Sequence, residues 1–183
     1  MNSLVTYLLP NAGVTAKQVV ALWMETAINS PTGTYPTDIS GLESQVQAIL
    51  QEVQTTFPNI KLAYLSSRIY GGYSNGVSPQ SPEPYAYEDA FAMQYILAQQ
   101  LNGNPALNYN PALGPVLAPW LSWGPYYFAN GLTPRSDGLV WTCQDFIATG
   151  THPSDPAGRQ KVADALFTFF VTDSTITPWF LAH

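Results

Sequence analysis

The sequence predicts an α/β domain built on a short parallel sheet, and three observations carry that prediction. Residues 18–24 (QVVALWM) and 60–67 (IKLAYLSS) are nearly continuous apolar runs, the pattern of strands covered on both faces. A stretch of helical periodicity lies between them, and a strand, a helix and a strand of these lengths imply a crossover and a parallel pair. At 183 residues the chain fits a single domain with a real core.

In chain order, residues 3–9 (SLVTYLL) form a short helical stub closed by Pro10, and NAGV then turns the chain. The first strand follows at 18–24, although Thr15 with Gln18 also matches a helix capping box. Residues 29–40 read as a loop by their Pro, Gly and Thr content. Ser40 and Glu43 make a second capping box, opening a helix whose inner face is Leu42, Val46, Ile49, Leu50 and Val53. FPN connects it to the second strand. Residues 68–84 are too rich in Gly, Pro and Ser for regular structure, and ordered loops of this length are usually functional.

A helix over 85–101 turns Ala90, Met93, Ile96, Leu97 and Leu101 inward. Residues 115–123 (PVLAPWLSW) give a third strand, placed at an edge because its prolines cannot donate to a ladder. A second long loop leads to a helix over 156–170 with Val162, Ala163, Leu166, Phe167 and Phe170 as its stripe. No internal repeat is visible.

Charged residues make up only 10% of the chain, against about 25% in ordinary soluble domains, so neutral polar and aromatic groups cover the surface. Such a surface suits neutral, hydroxyl-rich ligands or protein partners. A net charge of -6 with six basic residues and no basic cluster argues against nucleic acid. No stretch approaches the roughly 20 apolar residues of a membrane span. One cysteine, Cys143, excludes an internal disulfide and leaves the compartment open; it reads as a half-buried hydrophobe or, less readily, as a reactive thiol. One internal histidine with scattered carboxylates has no metal-ligand spacing, and no cofactor is implied.

Ligands of open α/β sheets gather outside the carboxyl ends of the strands. That rim should collect 25–29, Ser66, Ser67, Arg68, the end of the third strand at Trp123, and His152, the only histidine before the final residue. Ser66 and Ser67 are candidate nucleophiles or backbone anchors. Arg68 is a clamp for a carboxylate or oxyanion, or an ion-pair partner of Glu83 or Glu88. Asp145 and Asp155 are the carboxylates nearest His152 in sequence, with Asp137 farther along the same loop, as its orienter or as turn and cap residues. The aromatics around Tyr70, Tyr85 and Trp123 line a sugar-binding groove or fill core.

The block GTHPSDPAGRQKVADALFTFF, from Gly150, resembles the closing block of SGNH (GDSL-like) hydrolases. LAYLSSRIYGGY, PEPYAYEDAFA and APWLSWGPYYFANGLTPRSDGLVW are similar to a bacterial branch of that superfamily with unassigned substrate, so the resemblance covers most of residues 13–180. It implies a flavodoxin-like three-layer sandwich and ester hydrolysis, carbohydrate esters among the substrates, with His152 as general base. The resemblance gives His152 its role; from the residues themselves, Ser67, Ser66 and Asp145 are the candidates to complete the catalytic set, and Arg68, Tyr70, Glu83 and Trp123 the candidates for substrate contacts.

Two departures stand against this. No Gly-Asp-Ser nucleophile block is present, so the chain looks like the carboxyl-terminal portion of such a protein. Thr149 stands where the family's aspartate orients the histidine, and threonine holds no charge to stabilise an imidazolium. A sheet lacking its first strands has a bare edge, so the expectation is a homodimer through residues 18–24 or the stub at 4–9. The alternative function is a non-catalytic module of the same ancestry that binds carbohydrate or itself.

Overall fold

A computed structural model of the chain describes residues 3–28, 31–76 and 82–181. The chain is α/β. Three strands, β1 (Ala21–Glu25), β2 (Leu62–Ser66) and β3 (Trp120–Trp123), form one parallel sheet in the order β1-β2-β3. Register pairs Ala21 with Leu62 and Glu25 with Ser66, then Leu62 with Trp120 and Leu65 with Trp123. β3 takes the expected edge position but is shorter than expected: it begins at Trp120, so Pro115 and Pro119 stay outside the ladder.

A π-helical turn (Leu4–Leu8) and α1 (Leu9–Asn11) open the described chain, so the stub runs through Pro10 instead of stopping there. The first strand is shorter than expected, and the Thr15–Gln18 capping box takes its start. Thr15 N donates to Gln18 Oε1 at 2.8 Å and closes a 3-10 turn at Ala16–Gln18, leaving Val19 and Val20 outside the sheet. The strand is also half-buried along its whole length, and no described strand pairs with its outer edge.

Helix α2 (Thr37–Thr56) starts three residues before the expected capping box. Ser40 is therefore inside the helix, its hydroxyl donating to Pro36 O, and caps nothing. Its buried face is Ile39, Leu42, Val46, Leu50 and Val53, each worth about 1.5–3 kcal/mol when withdrawn from water. Helix α3 (Tyr85–Leu101) has the predicted bounds. It packs beside α2 on one face of the sheet, where Met93, Ile96 and Leu97 meet Ala63, Leu65 and Leu121.

Leu101 is the exception in that helix, being 82% exposed, and Gln100 takes the inward position. Its amide donates to Leu107 O and Pro119 O, both at 2.9 Å, and accepts from Leu121 N at 2.8 Å. A neutral side chain with both donors and its acceptor engaged is cheap to bury, and it fastens β3 to the helix. The connection before β3 holds two Asn-Pro-Ala-Leu turns, at Pro105–Leu107 and Pro111–Leu113, each with the preceding asparagine accepting from the alanine N–H. This six-residue duplication is a repeat the sequence reading passes over.

Helix α4 (Ala157–Thr172) covers the other face. Its expected stripe is shifted: Ala163 and Phe167 are exposed, while Val162 and Ala165 pack under Trp141 and Phe169 meets the buried Tyr64 ring. The chain closes in α5 (Thr177–Phe180).

Replacing Gln100 by leucine leaves two carbonyls and one N–H without partners in the core. A loss of roughly 2–4 kcal/mol in urea unfolding is expected, with α-helical circular dichroism retained.

Candidate functional site

The central strand is buried on both faces, so polar groups at its exit have to find partners inside the protein. Three consecutive residues do so with three different elements. Ser66 Oγ accepts from Trp23 Nε1 of β1 at 3.0 Å. Ser67 Oγ accepts from the backbone of Tyr127 and Phe128 at 2.8 and 3.1 Å. Arg68 donates to Glu25 Oε1 at 3.1 Å, at the end of β1, and to the carbonyl of Thr151 at 3.2 Å. Its Nε is buried without a partner among the described residues.

These contacts bound a cleft of about 170 Å³ outside the ends of β1 and β2. Trp23, Glu25, Arg68 and Tyr127 form its walls, with Thr151, His152 and Val162 at its margin. Burial holds the Tyr127 phenol well above the ordinary tyrosine range, so it is a neutral wall.

His152 is solvent-exposed, on a tight hairpin. Ile147 N donates to His152 O, Phe146 bridges Pro153, and Gly150 makes the turn with φ 72°. Gly150 is required twice over. Its φ is left-handed, and a Cβ there would lie 1.8 Å from the carbonyl oxygen of Tyr73.

Among the described residues no carboxylate is hydrogen-bonded to the imidazole. Thr149 Oγ1 lies 2.8 Å from Thr151 Oγ1, which lies 3.0 Å from His152 Nδ1. The hydroxyl chain runs in either sense. When Nδ1–H donates to Thr151, Nε2 has a free lone pair and can take a proton; when Thr151 donates to Nδ1, Nε2 carries the hydrogen and the base is idle.

The structure brings Arg68 and His152 to one cleft and separates the other candidates from it. Ser66 and Ser67 are at the rim but 1% exposed, with their oxygens already accepting hydrogen bonds. Asp145 is committed elsewhere: Lys161 donates to it at 2.6 Å, and Thr142 donates through both its N–H and its hydroxyl. Burial raises its pKa, but those donors outweigh burial and keep the carboxyl below the ordinary aspartate range. Asp155 pairs with Arg159 one helical turn on, and Asp137 with Arg135, which also braces the carbonyls of Tyr126 and Phe128.

Arg68 pairs with Glu25 and with neither Glu83 nor Glu88, the two partners weighed from sequence. Glu83 instead accepts from Gly71 N and Tyr87 N, joining the loop after β2 to the start of α3, and burial raises its pKa. Tyr70 packs edge-on against Tyr73 and Phe128, and Trp123 stands on the surface against Tyr126. Cys143 is exposed, unlike the half-buried position expected of it. Asn29 lies outside the described residues. No group of three or more metal-ligating side chains occurs among the described residues.

Sequence reasoning missed Glu25 as the partner of Arg68 and Thr151 as the link to His152. The signal for the first was present: Glu25 ends one apolar run as Arg68 follows another, and parallel register puts them side by side. Compared with protein families, curated proteins and solved structures, the chain matches none.

Arg68→Met strands the half-buried Glu25 charge and frees the Thr151 carbonyl. Unfolding stability should fall by roughly 2–4 kcal/mol, and Glu25→Gln/Arg68→Met should recover part of that loss, because the isolated charge costs more than the absent pair.

Proposed function

We propose that the chain hydrolyses small esters in the manner of SGNH-like hydrolases, with His152 as general base. The observation that carries this reading is the pairing of an accessible imidazole with the Arg68 guanidinium at one cleft outside the strand ends. In this mechanism Nε2 takes a proton from water as the water oxygen bonds to the ester carbonyl carbon. The resulting oxyanion faces Arg68. Collapse breaks the bond to the alkoxide, which takes the proton from the imidazolium, giving an acid and an alcohol.

Water is the nucleophile in this reading because the hydroxyls of Ser66 and Ser67 are buried and engaged. The flavodoxin-like, SGNH-type layering is part of the same proposal, and the parallel sheet with helices on both faces supports it. The neutral Thr149–Thr151 chain favours a second reading, a non-catalytic binding module of that ancestry.

Hydrolysis of 4-nitrophenyl acetate separates the two. Turnover above the buffer rate that drops about 10²-fold in His152→Ala and persists in Ser67→Ala supports the hydrolase. Thr149→Asp should raise it by supplying charge to the imidazolium. A parent protein with no turnover leaves the binding module.

The homodimer belongs to this proposal too. No described strand pairs with the outer side of β1, and antiparallel pairing about a two-fold axis at Trp23 sets Glu25 against Ala21, so no like charges oppose. The product is a continuous six-stranded sheet. Light scattering at tens of micromolar should give twice the 20.0 kDa chain mass, and Val20→Lys should shift the protein toward single chains; a monomer at all concentrations removes the dimer.

A further inference from the structure

Helix α3 carries Tyr87, Phe91 and Tyr95 at four-residue intervals, which places them on one face over a rise of about 12 Å. Their rings run as a series: Tyr87 to Phe91 at 5.5 Å between centroids, and Phe91 to Tyr95, stacked, at 6.2 Å. Tyr35 joins from the α2 side, 5.6 Å from Phe91, with its hydroxyl 2.6 Å from that of Tyr95. At the other end Phe128 lies 5.0 Å from Tyr87. Tyr126, two residues before Phe128, packs on Trp123 and lies near enough for Tyr87 and Glu83 to bear on its phenol, which continues the aromatic surface beyond the series.

Phe91 and Tyr95 rest partly on the core, while the tyrosines around them are open to solvent. Tyr87 is 44% exposed, Tyr35 45% and Tyr126 38%, and a groove of about 420 Å³ opens between Tyr87, Phe128, Glu83 and Asn130. Contiguous exposed aromatic surface on a soluble domain marks a place where something binds. The groove is also distinct from the His152 cleft. Tyr127 lines one and Phe128 the other, as neighbours pointing to opposite sides of an extended segment.

The polar groups around the rings decide what fits. Helix α3 has no lysine or arginine, and the cation beside Tyr126 is Arg135, already paired with Asp137. That excludes an anionic ligand. Glu43 is held by Gln99 and Glu83 by two backbone N–H groups, so neither stands as a free charge for a cation; Glu88, beside Tyr87, is the carboxylate of this face that the cationic-peptide arm of the test below addresses. What remains is ring surface bordered by tyrosine hydroxyls, the Asn130 amide and carboxylate oxygens able to accept from hydroxyl groups. Flat apolar faces with hydroxyls around their edge are the complement, and pyranose rings have that form.

We propose that this ribbon is a binding site for a neutral oligosaccharide, whose sugar faces stack on Tyr87 and Tyr126 while its hydroxyls meet the Asn130 amide and the Glu83 carboxylate. The site stands whether or not the His152 cleft hydrolyses esters. A ribbon several rings long selects a chain over a single sugar.

Calorimetric titration with cellohexaose, xylohexaose and mannohexaose tests this in the full chain. At least one should bind, glucose should bind far more weakly, and Tyr87→Ala and Tyr126→Ala should each weaken affinity about tenfold or more. Both tyrosines are partly exposed, so the variants should stay folded, with a melting temperature a few degrees below the parent's at most. His152→Ala should bind as the parent does, which separates this site from the hydrolytic reading. Binding of none of the three glycans at millimolar concentration, binding unchanged in both tyrosine variants, or binding only of a cationic peptide such as hexalysine would each overturn it.

Discussion

The exit of β2 is the constraint on which the rest depends. A strand covered on both faces cannot deliver Ser66, Ser67 and Arg68 to water, so each recruits a different element: Trp23 of β1, the 127–128 backbone, and the Glu25 carboxylate with the Thr151 carbonyl. The rim is therefore assembled as a by-product of satisfying buried polar groups. The cleft has its shape because the three clasps fix its walls relative to one another.

The scarcity of charge fits this arrangement. Four of the six basic side chains, Arg68, Arg135, Arg159 and Lys161, are in ion pairs. Arg68 and Arg135 also hold backbone carbonyls, and Lys161 lies over the buried Trp141 ring. Charges here act as fasteners between loops. Paired in this way, they add little free charge to the surfaces around the cleft and the α3 rings.

Apolar periodicity made the sheet and the three long helices legible in the sequence, since burial of Leu42, Val46, Met93 and Ile96 depends on spacing alone. Boundaries were less legible where two local signals competed. Thr15–Gln18 satisfied a capping box at the expense of two β-branched residues, and Ser40 was overrun by a helix that packing extended to Thr37. Gln100 and Leu101 exchanged roles because a glutamine looks like surface until three buried backbone groups lie within its reach. The rim position of His152 followed from chain order and strand direction. The commitments of Asp145 and Glu25 did not, because carboxylate partners are chosen across loops whose geometry no local pattern encodes.

The hairpin carrying His152 separates frame from chemistry. Gly150 is locked by its own dihedral and by the Tyr73 carbonyl, whereas Thr149 and Thr151 meet the imidazole only through interchangeable hydroxyls. Such a loop is evolvable in one direction: its side chains can gain or lose a charge by single codon changes while the bend beneath them stays fixed. A lineage could change the polarity of this rim without ever rebuilding the scaffold.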